Sequence, residues 1–192
     1  MHGVRVAGLL LAAGAGRRMG GPKALLRDGD GVAWVVRSAS VLAVGGCDPV
    51  LTVVGAAAGQ VREVLPAGVL AVTAAGWAEG MGASLRDGLA ALGALPEPGP
   101  EAVVVGLVDT PGVSPAVVAR LVAVAGPAVL ARAAYGGRPG HPVLLGREHW
   151  AGVAALARGD RGAREYLSGR RDVRLVECGD AGHGEDRDTP AS

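Results

Sequence analysis

The residues best suited to chemistry stand at the end of the first apolar run, in Leu11-Ala12-Ala13-Gly14-Ala15-Gly16-Arg17-Arg18-Met19-Gly20-Gly21-Pro22-Lys23. Small residues let a backbone approach a ligand closely, and successive amide N–H groups can bind phosphate oxygens. Arg18 and Lys23 could set two permanent cations beside a polyphosphate. Two familiar phosphate motifs fail here. A Walker A loop needs Gly directly before its Lys and Ser or Thr after it, but Pro22 and Ala24 flank Lys23. A dinucleotide fingerprint needs Gly-x-Gly-x-x-Gly and an acid after the second strand; Gly14, Gly16 and Gly20 are spaced one residue too wide, and Val54-Gly55-Ala56 carries no acid. Charge alone does not separate such a site from a helix-entry loop with solvated basic side chains.

A carboxylate comes next. Asp109-Thr110-Pro111 follows the apolar run Ala102 to Val108, which puts Asp109 at the carboxyl end of a strand. An acid among phosphates works only with a cation between them, because like charges otherwise repel. Taken singly, Gly80-Met81-Gly82-Ala83-Ser84-Leu85 is a capped helix start, and His141 in Gly140-His141-Pro142-Val143 is a turn residue. The polar, Gly-rich end after Cys178 reads as a frayed tail.

Seven apolar runs could carry these residues: Val4 to Leu11, Val50 to Val54, Val69 to Val72, Ala102 to Val108, Ala128 to Ala131, Pro142 to Leu145 and Val173 to Val176. Their continuous apolarity suggests strands buried on both faces. Helical patterns lie between them, at about Val32 to Val44, Gln60 to Leu65, Met81 to Leu92, Pro115 to Ala125, Arg147 to Ala157 and Asp160 to Leu167. Ser114 before Pro115 is an N-cap with Pro at the first helical position, and Asp160 can cap its own helix. The alternation predicts one doubly wound α/β domain over residues 1–192, a Rossmann-like three-layer α/β/α fold with a mostly parallel sheet. Ligands of such folds sit at the carboxyl ends of the strands.

Composition sets the bounds. With 49% apolar and 19% charged residues and a net charge of +1, the chain has the bulk for a core and lacks the basic excess of a nucleic-acid binder. Phe is absent and Lys23 is the only lysine among 19 basic residues, a pattern expected of a GC-rich coding sequence. The apolar stretches are broken well before the length of a membrane span. Arg5 followed by Val6 to Ala12 and Ala13-Gly14-Ala15 imitates a signal peptide. Cys47 and Cys178 have no metal-ligand spacing, which suits a reduced cytoplasm.

The first-turn segment resembles the signature Leu-Ala-Ala-Gly-x-x-x-Arg-Met-Gly-x-x-Lys of the MobA-like nucleotidyltransferases with a GT-A-like fold, and matches it at every defined position. That match replaces the signal-peptide reading with a strand and loop. Asp109-Thr110-Pro111 is similar to the family's Asp-x-Pro, and Gly80 to Leu85 to its Gly-Met-x-x-Ser-Leu element. Gly140-His141-Pro142 and Gly159-Asp160-Arg161-Gly162-Ala163-Arg164 resemble elements of the molybdenum cofactor cytidylyltransferase branch. Asp186-Arg187-Asp188-Thr189-Pro190 resembles its Asp-Ile-Asp-Thr-Pro end, with Arg187 where Ile is usual. An arginine cannot extend a buried strand as an apolar residue would.

The resemblance implies a Mg²⁺-dependent transfer of a nucleotidyl group from an NTP to a phosphate of molybdopterin or its molybdenum-loaded form, with pyrophosphate released. It implies a phosphate cradle at Leu11, Ala12, Ala13, Gly14, Ala15 and Gly16, with nucleotide contacts at Gly82 and Ser84. Arg18 would hold the β and γ oxygens and Lys23 the charge near the α-phosphate. Mg²⁺ would sit on Asp109 and Asp188, or Asp186 in its place, and the acceptor on the side of Gly140 and His141. Leu-Ala-Ala-Gly favours CTP over GTP. The alternatives are a guanylyl transfer, a sugar or alditol phosphate acceptor, and a non-catalytic nucleotide-binding chaperone serving a molybdoenzyme.

Overall fold

The computed structural model describes residues 3–16 and 20–187. Its centre is a seven-stranded sheet built from β1 (Val6–Leu11), β2 (Val50–Val54), β3 (Leu70–Thr73), β4 (Ala102–Leu107), β5 (Leu130–Tyr135), β6 (Arg138–Gly146) and β7 (Val173–Glu177), in the order β3-β2-β1-β4-β6-β5-β7. β6 runs antiparallel to β4 and β5, and the other neighbouring strands pair in parallel. The helices are α1 (Trp34–Val44), α2 (Ala58–Val64), α3 (Met81–Gly93), α4 (Pro115–Val122), α5 (Trp150–Leu156) and α6 (Arg164–Leu167).

Period-two alternation divides the strands between two cores. Leu9, Leu11, Val103, Val105 and Leu107 face a core closed by Leu85 and Leu89 of α3, Trp150 and Val153 of α5 and Leu167 of α6. Val6, Leu10, Ala102 and Val104 face the other, closed by Val35, Ala39 and Leu42 of α1, Val61 of α2 and Val118 and Leu121 of α4. The three-layer α/β/α arrangement expected from the sequence is therefore present.

Four details differ from the expectation. β3 and β7 are the sheet edges and stay largely exposed or half-buried, so their apolar runs do not mark strands covered on both faces. β5 and β6 are longer than their apolar runs and meet in a two-residue Gly136-Gly137 turn, with φ of 60° and 76°. The expected helix from Asp160 to Leu167 is a 3-10 turn, Gly159–Arg161, then Gly162 at φ 50°, then the four-residue α6, whose N-cap Ala163 has no side-chain bond. Asp160 therefore caps no α-helix. Likewise Arg147–His149 is a 3-10 turn that leads into α5. Ser114 does cap α4, its Oγ accepting from the Val117 amide at 3.4 Å with Pro115 at the first position. Among the described residues, no helix is long and apolar enough to cross a membrane.

Candidate active site

β1 and β4 are adjacent and parallel, with Leu11 beside Leu107, so the loops that leave them emerge together at one end of the sheet. Lys23 ends the first loop, opening a short 3-10 turn, and Asp109 begins the second. They meet directly: Lys23 Nζ donates to Asp109 Oδ2 at 2.7 Å, with the two side chains 18% and 22% exposed. An ammonium and a carboxylate 86 residues apart in sequence are thus held at the carboxyl ends of neighbouring strands.

The first loop closes on itself. Gly21 N donates to the Gly16 carbonyl at 3.3 Å, and Gly16, at φ 58°, lies so close to the Gly21 carbonyl that a Cβ would collide with it. Ala12 N is engaged in the sheet, donating to Val53 O at 3.0 Å, and Leu11 and Ala12 are buried. This narrows the expected cradle: the Ala12 amide cannot also bind phosphate. The amides of Gly14, Ala15 and Gly16 have no hydrogen-bond acceptor among the described residues. Ala13 instead turns its carbonyl to the Ala56 amide at 3.2 Å. Arg18 lies outside the described residues, as does Asp188.

The segment after Cys178 is laced along the Asp109 side of the site. Asp180 takes both guanidinium nitrogens of Arg120, at 2.6 and 2.7 Å, and that fork holds its carboxyl down to about 2. Ser114 Oγ donates to Ala181 O at 2.7 Å, His183 N to Gly112 O at 3.1 Å and Arg187 N to Asp109 O at 2.8 Å. The Arg187 guanidinium lies 5.5 Å from the Trp34 ring centroid and donates to Asp28 Oδ1 at 3.3 Å. Asp28 also accepts from Trp34 Nε1 at 3.0 Å and Arg37 Nε at 2.7 Å. Composition suggested fraying; these bonds dock the segment instead. The Arg that replaces Ile does not extend a strand. It fastens the chain to Trp34 of α1 and to Asp28 ahead of that helix, and its own amide bond to the Asp109 carbonyl brings the preceding Asp186 to the Asp109 loop.

Gly140 and His141 lie in an irregular part of β6. Pairing jumps from Arg132↔Val143 to Ala134↔Pro139, so Gly140, His141 and Pro142 leave the regular ladder. Such bulges re-aim side chains next to active sites. Tyr135 Oη donates to the His141 carbonyl at 2.7 Å, and His141 Nδ1 is buried without a partner among the described residues. Burial, helped by the Arg132 guanidinium and opposed by the Asp109 carboxylate, holds His141 below the usual imidazole range. Gly82 and Ser84 fall at the start of α3. Ser84 is buried, and a Cβ on Gly82 would come within 2.6 Å of Arg158 N, so Gly82 permits close packing against the 157–158 backbone. The sequence reading missed Asp28, Trp34 and Arg187 as a fastening; the only signal was the turn-forming Asp28-Gly29-Asp30-Gly31 next to a tryptophan.

Oxygen donors of this kind suit a hard divalent cation: the Asp109 carboxylate, and Asp186 in the segment that Arg187 ties to it. No cluster of three or more metal-ligating side chains occurs among the described residues.

The fold and the juxtaposed ammonium, carboxylate and open amides define a nucleotidyltransferase-type α/β domain. The chain matches the MobA-like NTP transferase domain over residues 8–175, and it belongs to that family. It is 39% identical to nicotine blue oxidoreductase of Paenarthrobacter nicotinovorans, across 96% of this chain and 92% of that protein. Among solved structures it is similar to Rv0371c of Mycobacterium tuberculosis H37Rv, with a TM-score of 0.77 and 32% identity over 92% of this chain and 89% of that one. A structure of Rv0371c in complex with manganese gives a TM-score of 0.73 at 29% identity, over 92% and 89% of the two chains. A nucleotidyl transferase from Methanothermobacter gives 0.76 at 26% identity, over 91% and 88%.

Proposed function

We propose that this nucleotidyltransferase moves CMP from CTP to the phosphate of molybdopterin or its molybdenum-loaded form, with Mg²⁺ as the ion. The observation that carries the reading is the 2.7 Å pair of Lys23 and Asp109 beside the Gly14–Gly16 amides. In the reaction, an oxygen of the acceptor phosphate forms a bond to the α-phosphorus, the bond from that phosphorus to the bridging oxygen breaks, and pyrophosphate departs with the electron pair. The chain's task is positioning and charge stabilisation. Gly14, Ala15 and Gly16 donate N–H groups to the triphosphate, and Arg18 holds its outer oxygens. Lys23, a compact point charge, neutralises charge growing near the α-phosphate. Asp109 keeps that ammonium aimed, and with Asp186 or Asp188 it would hold Mg²⁺, which when bound draws the phosphate oxygens together and offsets their charge. Gly140 and His141 line the acceptor side. The absence of a membrane-spanning helix among the described residues and the two buried free cysteines suit a cytoplasmic enzyme.

A redox reading is favoured by one observation, the relative that bears an oxidoreductase name. Against it stand the wrong glycine spacing and the missing acid after β2. Both readings are tested by incubating the protein with Mg²⁺, each of the four common NTPs, and molybdopterin or phosphorylated sugars and alditols. Pyrophosphate release with CTP and molybdopterin is expected. GTP preference would refute the cytidylyl assignment, and release only with a sugar phosphate would refute the acceptor. Oxidation of NADH or NADPH against a quinonoid dye, without pyrophosphate release, would establish the redox reading instead.

A further inference from the structure

Tyr135, the last residue of β5, is engaged by two different parts of the chain. Its hydroxyl donates to the His141 carbonyl at 2.7 Å, which ties it to the bulge of β6. Its ring also meets the segment after Cys178: a Cβ on Gly184 would collide with Cε2 of that ring, and one on Gly140 would stand 3.0 Å from the same carbon. Only the missing side chains at both positions let one ring edge touch a residue of the bulge and a residue of the docked segment.

The base of that segment holds the same hairpin. Glu177, ending β7, accepts at 2.9 Å from the amides of Gly136 and Gly137, the turn that follows Tyr135, and from Gly179. Cys178 and Ala181 close a small apolar cluster with Tyr135, Ala133 of β5 and Val117 of α4. From there the chain runs along the Asp109 loop, with His183 N bonded to Gly112 O and Arg187 N to Asp109 O. One tyrosine thus joins the stretch that brings Asp186 to Asp109 and the stretch that carries His141. While its ring and hydroxyl stay engaged the two stretches move together, because close-packed contacts transmit displacement rather than absorb it.

We propose that Tyr135 is a positioning residue that couples the 178–187 segment to the Gly140-His141 bulge, so that a divalent cation held by Asp109 and Asp186 also sets the bulge. The coupling is reciprocal: whatever fixes the bulge tightens the cation by the same factor. For its place in the reaction this rests on the nucleotidyl-transfer reading, in which it makes cation and acceptor bind cooperatively; the coupling itself does not depend on that reading.

Three of the four histidines make the test direct. His183 reports the docked segment, its ring lying against Gly112, and His141 reports the bulge. His149, just past the opposite end of β6 and bonded to Tyr166 and Ala128, is the reference. In imidazole nuclear magnetic resonance spectra without ligand, Gly184→Ala is expected to move the His183 and His141 signals together, and Tyr135→Phe to move His141 alone. Titration with Mg²⁺ should shift His183 and His141 of the wild type with one midpoint and leave His149 still. In Tyr135→Phe the His183 response should remain and most of the His141 response should be gone. In turnover, Tyr135→Phe should raise the acceptor KM about fivefold, the worth of one hydrogen bond, and leave the KM for CTP unchanged. Thermal melts establish that the variants are folded; if Gly184→Ala is not, the Mg²⁺ comparison in Tyr135→Phe decides. A His141 signal that ignores Mg²⁺ in the wild type, or follows it undiminished in Tyr135→Phe, would overturn the coupling. If nucleotide is transferred but His141 follows Mg²⁺ without the Tyr135 hydroxyl, the coupling fails and the function stands. If His141 depends on that hydroxyl and no nucleotide is transferred, the function fails and the coupling stands.

Discussion

Lys23 Nζ lies 2.7 Å from Asp109 Oδ2, bridging the loops that follow two adjacent parallel strands. In a pair this far buried the cost of desolvating both charges offsets much of their attraction, so its net contribution to stability is small. Its value is in position. Each charge fixes the other at the mouth of the sheet, where the Gly14–Gly16 amides also open.

Lys23→Arg should therefore keep the fold and lose most of the activity. A planar guanidinium cannot place a single charge where the ammonium stands. The expected result is a melting temperature within a few degrees of wild type, with kcat lowered by about a hundredfold or more, the scale of losing one oxyanion donor. A pyrophosphate-release assay with circular dichroism melts checks both.

Arg187→Ala should release the end of the docked segment. The contact with Trp34 and the hydrogen bond to Asp28 together are expected to contribute about 1 kcal/mol, so the fold survives. Hydrogen exchange should rise for residues 182–187 while α1 stays protected, and Mn²⁺ affinity should fall. Asp28→Asn should act in the same direction. Unchanged exchange in both variants would mean that the bonds from Asp180 to His183 hold the segment without Arg187.

Gly82→Ala sets two effects against each other. Alanine improves helix propensity by up to about 1 kcal/mol. Its Cβ, however, would lie 2.6 Å from Arg158 N and 2.7 Å from the Ala157 carbonyl carbon, both backbone atoms that cannot swing aside. Overpacking of this kind costs about 1–3 kcal/mol, so net destabilisation is expected in chemical denaturation.

His141 gives acid sensitivity a defined sign. Its pKa is lowered in the folded state, chiefly by burial, so above the unfolded value near 6.5 both states are neutral and it contributes no pH dependence. As pH falls below that value the unfolded chain takes up a proton that the folded one resists, and stability drops until the folded pKa is passed. Replacing His141 with Gln should flatten this part of the stability profile as pH falls below about 6.5, measured by urea midpoints. The same loss in the variant would assign the effect to other groups.

The buried thiols give a further check. Burial pushes the Cys47 thiol up to about 12 and also raises Cys178, so neither forms the reactive thiolate at neutral pH. Ellman's reagent should label neither in the native protein and both in guanidinium.

Much of this was legible in the sequence for a physical reason. Strands covered on both faces must be continuously apolar, so β1, β2 and β4 stood out, and the chain's single Lys was found at the end of the first. The Asp109 strand end was equally plain. What escaped notice depended on contacts between distant residues. Nothing local says that Arg187 will meet Trp34 and Asp28, more than 150 positions away. The edge strands were misjudged because an apolar run does not reveal whether a neighbour covers it, and the Asp160 helix because Gly162 turns the backbone out of the helical region.

The proposed function makes Lys23 and Asp109 a nucleotidyl-transfer centre. Its most direct test is transfer of label from α-³²P-CTP onto molybdopterin, with Mg²⁺, by wild type, Lys23→Met and Asp109→Asn. Labelled product is expected from the wild type alone, with both variants folded and close to inactive. No labelled product from wild type with any of the four nucleotides, or undiminished labelling by both variants, would contradict it.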